Sequence, residues 1–251
     1  MPSAPRIALR LAYLGGGFAG WQRQPRRRTV QGELELALAR LYRAPVQVRG
    51  AGRTDAGVHA TGQVAHFDPP FPIPPAGVRE ALNGILPADL RVRRAWPAGS
   101  GFDAHRSARA KRYRYRLAWG EVLDPWEALR SWEVPWPLAL EDMRGALEAV
   151  VGTHDFAAFA LSGHAGTGRR GTVRTVLSAR LAGRGRRLAL VIEGDGFLRG
   201  MIRRIAGALV EVGRGARPAA WFHLLVCESA TRPPAPTAPA RGLTLERVIY
   251  S

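Results

Sequence analysis

Apolar and polar residues alternate along the first half of the chain with two different periods. Large apolar or aromatic residues occupy every second position of Arg6–Tyr13, which is typical of a half-buried strand. After Thr29 they recur every three to four positions as far as about Tyr42, which predicts an amphipathic helix capped by that threonine. Alternating stretches at 46–50 and 63–67 predict two antiparallel strands.

The same periods continue to the end of the chain. A short helix at 78–85 and a strand near 90–96 complete the order βαββαβ in the first half. The second half has similar signals, with an additional helix and a proline-marked linker before its last strand. Its predicted elements are a strand at 111–119, a helix at about 140–151, a hairpin of 173–181 with 187–192, a helix from Phe197 to about Val212, a helix at 218–227, a linker at 233–239 and a strand at 243–250.

Two successive βαββαβ series predict an α+β protein built from two fused ferredoxin-like, or RRM-like, halves. We place these halves at residues 1–104 and 105–251. Together they are expected to form a central mixed or antiparallel sheet with helices packed on it. RNA-binding modules use this shape and bind nucleotides on open sheet faces.

The charge of the chain favours a polyanionic partner. Thirty-seven basic residues against twenty acidic ones leave a formal net charge of +17. Biased coding explains why Lys111 is the only lysine, but it does not explain the shortage of carboxylates, so nucleic acid is the leading partner. A membrane surface is the weaker alternative, because the chain has no basic amphipathic terminal helix and no lipidation signal.

Cysteine content and the N-terminus indicate the cellular compartment. Cys227 is the only cysteine, so neither an intrachain disulfide nor a thiolate metal cluster is possible, and a reducing compartment fits. Residues 1–5 lack the basic-then-apolar order of a signal peptide, and no apolar run is long enough to span a membrane. We therefore expect a cytoplasmic protein.

The segment from Gly52 to Ala60 is the strongest candidate for chemistry. Its glycines bound a loop that presents Asp55 between two predicted strands. Turns that contain Asp and Gly are common, so spacing alone fits a catalytic carboxylate or an ordinary turn. Arg53 could contact RNA phosphate or simply face solvent. His59 and a later histidine, His66, lack the further ligands that a zinc site needs, so we interpret both as structural.

Two other segments carry candidate residues. Tyr113 and Tyr115 alternate with arginines on one predicted strand, so their rings either stack on bases or fill the core. In the helix predicted from Phe197, Arg199 and Arg203 lie four residues apart. Such arginines usually face water, although one flanked by core positions can reach inward and pair with a carboxylate.

These segments, taken in order, resemble the tRNA pseudouridine synthase A family along nearly the whole chain. Each segment alone is a weak match, whereas their joint order and spacing are hard to obtain by chance. The matching segments are Tyr13, 17–25, 29–35, 52–60, 111–115, 156–159, 174–176, 197–207 and 238–243.

The resemblance implies two fused halves with an active-site cleft between them, a homodimer and no cofactor. It implies isomerisation of uridine to pseudouridine at positions 38, 39 and 40 of the tRNA anticodon stem-loop. Carried over residue by residue, Asp55 matches the nucleophile, Tyr113 the aromatic residue that contacts the target uracil, and Arg203 the arginine paired with the aspartate. Arg53 matches an RNA-contacting position.

The chain departs from the family pattern at three places. Leu14-Gly15-Gly16 stands where Asp-Gly-Thr is frequent, which puts the contacts of that loop in doubt. Gly200 and Arg204 stand where many relatives have His and Asn, and both positions are expected to be peripheral.

Two other functions compete with the synthase. One is a non-catalytic RNA-binding protein of RRM-like fold, which would bind RNA without turnover. The other is a metal-dependent phosphodiesterase, although the Asp55 motif holds only one suitable carboxylate where two-metal chemistry needs several.

Overall fold

A computed structural model describes residues 4–161, 171–228 and 234–250 of the chain. The strands are β1 (Ile7–Tyr13), β2 (Arg49–Gly50), β3 (His59–Phe67), β4 (Leu90–Pro97), β5 (Ala110–Trp119), β6 (Trp132–Val134), β7 (Gly152–Asp155), β8 (Val173–Arg184), β9 (Arg187–Gly194) and β10 (Leu243–Ile249). The helices are α1 (Val30–Tyr42), α2 (Pro75–Ile85), α3 (Pro125–Ala128), α4 (Leu140–Glu148), α5 (Met201–Gly213) and α6 (Ala219–Cys227). This mixture of strands and helices confirms the predicted α+β class.

The chain divides into two compact units. Unit 1 comprises residues 1–109 and 245–251, and unit 2 comprises residues 110–244. Strand β10 therefore begins in unit 2 and ends in unit 1. Residues 234–239 of the predicted linker have no regular secondary structure, and Pro233 lies outside the described residues.

Unit 1 runs β1-α1-β2-β3-α2-β4, the order that the apolar pattern predicts. Its strands lie side by side in the order β4-β1-β3-β10, and β1 is antiparallel to both β3 and β4. Helix α1 begins as predicted, because the Thr29 hydroxyl accepts the Gly32 N–H at 3.2 Å. The apolar faces of both helices supply the core, including Leu34, Leu38 and Leu82.

The strand predicted at 46–50 is wrong for most of its length. Only Arg49 and Gly50 pair with β3. The Val48 N–H instead donates to the Glu35 carboxylate at 3.1 Å, and its carbonyl accepts the Gln31 side-chain amide at 3.1 Å. Because side chains of α1 satisfy the Val48 backbone, Val46 and Val48 are buried without forming a ladder.

Unit 2 contains the second group of strands, in the order β5-β9-β8-β7. Neighbours in this order are antiparallel, whereas β6 runs parallel to β5, so the sheet is mixed. The predicted hairpin is present as β8 and β9, and each strand begins at its predicted residue and extends past its predicted last residue. Helices α4, α5 and α6 pack against one another.

The helix predicted from Phe197 begins four residues later, at Met201. Gly200 precedes it with a φ of 73°, in the left-handed region, and a helix cannot continue through that conformation. A Cβ at Gly200 would lie 2.4 Å from Cγ of Leu161. This glycine therefore lies in a tightly packed turn, and the expectation that the position is peripheral to the chemistry stays a prediction.

Candidate active site

Asp55 lies on the loop between β2 and β3, and the backbone around it is held by hydrogen bonds. The Trp21 N–H donates to the Thr54 carbonyl at 3.0 Å, and the Gly57 N–H donates to the Phe18 carbonyl at 3.4 Å. Within the loop, the Val58 N–H donates to the carbonyl of Asp55 at 3.2 Å. The Asp55 side chain is half-buried in this constrained backbone, and Arg53 is exposed.

Two glycines let the segment that follows β1 approach the Asp55 loop. Gly20 has a φ of 95°, and a Cβ there would lie 2.8 Å from the Thr54 carbonyl oxygen. A Cβ at Gly15 would lie 2.1 Å from the Val58 carbonyl oxygen. The Gly15 N–H donates to Nδ1 of His59 at 3.0 Å. Despite its departure from the family pattern, the 14–16 segment thus contacts the loop through its backbone.

The residue before Asp55 is fixed by buried side chains. The Thr54 hydroxyl shares a hydrogen bond of 2.8 Å with the phenol of Tyr13, and both residues are buried. Burial raises the pKa of Tyr13 to about 12, so the phenol stays protonated at neutral pH. The buried side chain of Gln63 donates to the Gly52 carbonyl at 2.9 Å. Side chains of β1 and β3 therefore hold the loop in place.

Both histidines near this region bind backbone groups. Nδ1 of His59 accepts from Gly15, and Nδ1 of His66 accepts the Ala104 N–H at 3.0 Å. Burial lowers the pKa of His66, which favours its neutral form. Within residues 4–161, 171–228 and 234–250, no group of three or more His, Cys, Asp or Glu side chains could hold a metal ion.

Tyr113 and Tyr115 are both buried on β5. The ring of Tyr113 meets that of Phe197 edge-to-face, with centroids 5.3 Å apart and planes at 82°. The Tyr115 hydroxyl donates to the Pro239 carbonyl at 2.8 Å, and burial raises its pKa. Tyr115 is thus a core residue, whereas Tyr113 packs against the segment that leads into α5.

Arg203 lies in the first turn of α5 and is half-buried. Its Nε donates to the Ala238 carbonyl at 2.8 Å, and the Ala238 N–H donates back to the Arg203 carbonyl at 3.1 Å. A guanidinium has five N–H donors, and the bond to the Ala238 carbonyl uses one of them. The bond fixes the direction of the side chain.

Arg204, expected to be peripheral to the chemistry, is buried. Its guanidinium donates to the Thr237 hydroxyl at 3.2 Å and to the carbonyls of Ala158 and Ala160. It thereby satisfies two backbone oxygens in and just after the 157–159 turn. Burial lowers its pKa. No local pattern in the sequence separates this structural arginine from its neighbour Arg203.

The candidate residues fall in both units. Unit 1 groups Arg53 and Asp55 with Tyr13 and Thr54, and unit 2 holds Tyr113 and Arg203. None of the described helices is long and apolar enough to cross a membrane. The fold and charge define a strongly basic α+β protein that presents a carboxylate on a constrained loop.

Comparison with known proteins identifies the family. The model of the tRNA pseudouridine synthase family matches residues 11–105 and 146–251. The tRNA pseudouridine synthase A of Myxococcus xanthus is 43% identical over 247 residues, covering 98% of this chain and 92% of the relative. That of Geobacter sulfurreducens is 43% identical over 245 residues, covering 97% and 99%, and that of Frankia casuarinae is 42% identical over 251 residues, covering 98% and 89%.

The chain belongs to the tRNA pseudouridine synthase family. It is an isomerase that converts uridine in tRNA to pseudouridine. Membership of an enzyme family decides against the non-catalytic RNA-binding protein considered from the sequence.

Proposed function

We propose that the enzyme modifies uridines 38, 39 and 40 in the anticodon stem-loop of tRNA, with Asp55 as its nucleophile. The observation that carries this proposal is the way the loop is constrained. Trp21 and Phe18 bind its backbone, and the buried Tyr13–Thr54 pair fixes the residue next to Asp55. A backbone held in this way fixes the point from which the Asp55 side chain leaves the loop before substrate arrives, which is what a nucleophile on a loop needs.

The reaction exchanges one bond for another within the same nucleotide. The bond between ribose C1′ and uracil N1 breaks, the uracil turns, and C5 joins C1′. The proton on C5 leaves and N1 gains a proton, so the change needs no oxidant. The target base must leave its stack to be reached. Asp55 can add to the uracil ring, bond to the sugar or assist loss of a ribose proton.

We assign contact with the target uracil to Tyr113. The edge-to-face contact with Phe197 limits the rotation of its ring, so the ring offers the base a surface of fixed orientation. Its hydroxyl is a candidate for the transfer of the C5 proton. Held on β5 in this way, Tyr113 would keep the detached uracil close to the sugar.

We further propose that Arg203 forms an ion pair with Asp55 and that Arg53 contacts the RNA. The planar guanidinium of Arg203 can bind both carboxylate oxygens and so orient the nucleophile. The Ala238 carbonyl fixes the direction of the guanidinium through Nε, which supports this role. Exposure of Arg53, two residues before Asp55, suits contact with a phosphate beside the target nucleotide.

The proposal includes the architecture that the sequence implies. We propose two ferredoxin-like halves at 1–104 and 105–251 with the active-site cleft between them. We also propose that the enzyme is a homodimer. The strand order β4-β1-β3 in unit 1, with β2 at the far side of β3, supports the ferredoxin-like description of the first half. An antiparallel sheet in which β1 lies between β3 and β4 is typical of that fold.

Release of tritium from tRNA labelled at uracil C5 tests the proposal. We expect the parent to release label from intact RNA with a chelator present, and mapping of the product should find pseudouridine at positions 38–40. Asp55→Asn should bind tRNA but release no label. The control is Asp142→Asn, the same change at an exposed position of α4, which should match the parent. Label release by Asp55→Asn near the parent rate would refute the nucleophile.

A further inference from the structure

Two arginines stand opposite each other on neighbouring strands of unit 1. The register pairs Arg10 of β1 with Arg94 of β4, and Val64 of β3 is the partner of Arg10 on its other side. Both arginines are exposed. Like charges at directly opposed positions repel and destabilise a sheet. The pair therefore costs stability unless an anion lies against it.

A groove of about 190 Å³ adjoins this pair. Besides Arg10 and Arg94, its lining includes Arg247 of β10 and the aromatic residues Trp96 and Tyr250. All five residues belong to unit 1, and we call them the arginine groove. The guanidinium carbon of Arg94 lies 5.8 Å from the centre of the Trp96 ring, within the range of a cation–π contact.

Among the described residues, no carboxylate forms an ion pair with the three groove arginines. Some other arginines of unit 1 have carboxylate partners. Arg6 pairs with Asp68 at 2.7 Å, and Arg28 pairs with Asp89 at 2.7 Å. The groove therefore brings together three arginine charges that no carboxylate of the described residues balances by an ion pair.

We propose that the arginine groove binds a phosphate and its sugar in the backbone of the tRNA substrate. The proposal rests on the tRNA-modifying function and adds a contact surface to it. Guanidinium forks match phosphate oxygens, and an aromatic face next to them suits the adjoining sugar or base. The groove is smaller than the roughly 300–1,000 Å³ of small-molecule sites. A volume below that range fits a fragment, such as one phosphate with its sugar, and not a whole drug-sized ligand.

The groove is separate from the contacts of the Asp55 loop. Arg10 and Tyr13 lie three positions apart on β1, and side chains at odd spacing in a strand point to opposite faces. Tyr13 reaches Thr54 on the buried face. Arg10 lies on the other face, with Arg94 and Trp96. We therefore assign the bound phosphate to a part of the tRNA away from the target uridine.

The test compares two double variants of equal charge change. Arg10→Gln with Arg94→Gln alters the groove, and Arg40→Gln with Arg43→Gln removes two exposed arginines at the end of α1. For the groove variant at about 0.1 M salt, we expect the Kd for a full-length tRNA transcript to rise on the order of tenfold. The slope of log Kd against log salt should fall by about one to two. The α1 variant should keep the parent slope.

Thermal melts and kinetics exclude a folding defect. Relief of the Arg10–Arg94 repulsion should leave the Tm of the groove variant equal to or above that of the parent. Its single-turnover rate should fall at low tRNA concentration and recover at saturation, because the lost contact lies away from the reacting base. A rate that stays low at saturating tRNA would overturn the proposal.

Two further outcomes overturn the proposal. One is equal tRNA affinity and salt slope in the two double variants. The other is conversion of a dimer to a monomer by the groove variant in sedimentation velocity, which would make the groove a contact between two copies of the chain. If Asp55→Asn stays active or pseudouridine forms outside positions 38–40, the proposed function fails. The difference in tRNA affinity between the two double variants still tests whether the groove binds tRNA.

Discussion

The phenolic oxygen of Tyr13 lies 2.8 Å from Oγ1 of Thr54, the residue that precedes Asp55. Tyr13 ends β1, which lies between β3 and β4 in unit 1, and both partners of this bond are buried. The conformation that presents Asp55 is thereby tied to the interior of the sheet by a residue 41 positions before Thr54.

Replacing Tyr13 with Phe should lower both stability and activity. The change leaves the buried Thr54 hydroxyl without its partner, at a cost of about 1–3 kcal/mol in the free energy of unfolding. The single-turnover rate should fall while tRNA affinity holds. Tyr42→Phe is the matched control, because its buried hydroxyl has no hydrogen-bond partner among the described residues. Urea unfolding and single-turnover assays measure both effects, and equal behaviour of the two variants would contradict the positioning role.

Gly20→Ala should displace the Asp55 loop. A Cβ would lie 2.8 Å from the Thr54 carbonyl oxygen, and a φ of 95° is strained for alanine, at a cost of roughly 1–3 kcal/mol. Gly16→Ala serves as control in the same glycine-rich segment, since a Cβ there would meet nothing within 4 Å. We expect loss of activity and a lower Tm for Gly20→Ala alone. Parent-like tritium release by this variant would show that the loop tolerates the shift.

Substitutions of Tyr113 separate stacking from proton transfer. Tyr113→Phe keeps the ring and its contact with Phe197, whereas Tyr113→Ala loses both ring and hydroxyl. A proton-transfer role predicts that Phe already abolishes product, and a stacking role predicts an active Phe variant and an inactive Ala variant. Tritium release and pseudouridine formation should be followed together. Full activity of Tyr113→Ala would remove Tyr113 from the site.

The proposed pair of Asp55 and Arg203 can be measured by a double-mutant cycle. Asp55→Asn and Arg203→Met, singly and combined, should show a coupling of about 0.5–3 kcal/mol in the free energy of unfolding. Arg203→Lys should leave activity well below the parent, because an ammonium lacks the planar fork that fixes the orientation of both carboxylate oxygens. Additive effects within about 0.5 kcal/mol, or a fully active Lys variant, would refute the pair.

Alkaline pH should destabilise the fold. Burial raises the pKa of Tyr13, Tyr42, Tyr115 and Tyr250, so the unfolded chain releases these protons at lower pH than the folded chain. The contribution of these four tyrosines to stability is then constant below about pH 10 and falls as the pH rises further. The shift of Tyr13 to about 12 contributes a loss on the order of 2–3 kcal/mol. Urea unfolding between pH 8 and 11.5 measures this loss of stability. Tyr13→Phe should lose less stability than the parent over that range. Unchanged stability across that range would contradict the prediction.

Local pattern determined much of the fold. The alternation in β1, the Thr29 cap of α1 and the glycine-joined hairpin of β8 and β9 all follow from neighbours in the chain, and the structure contains each of them. The start of α5 could not be predicted in this way. Its apolar spacing continues back to Phe197, but the left-handed turn at Gly200 depends on packing against Leu161.

The candidate site residues, like the local elements of the fold, were selected from the sequence. Sequence alone selected Asp55, Tyr113, Arg203 and Arg53, through a resemblance in which order and spacing of motifs carry the information. These roles stay predictions.

Contacts between distant segments were decided only by the tertiary structure. Arg203 and Arg204 are neighbours of the same residue type, and only packing separates the one that binds Ala238 from the one that is buried against Ala158 and Ala160. The register that sets Arg10 opposite Arg94 is likewise invisible in sequence. The sequence specifies the type of each side chain. The partner of each side chain depends on which strands pair and in which register, and those pairings join residues far apart in the chain.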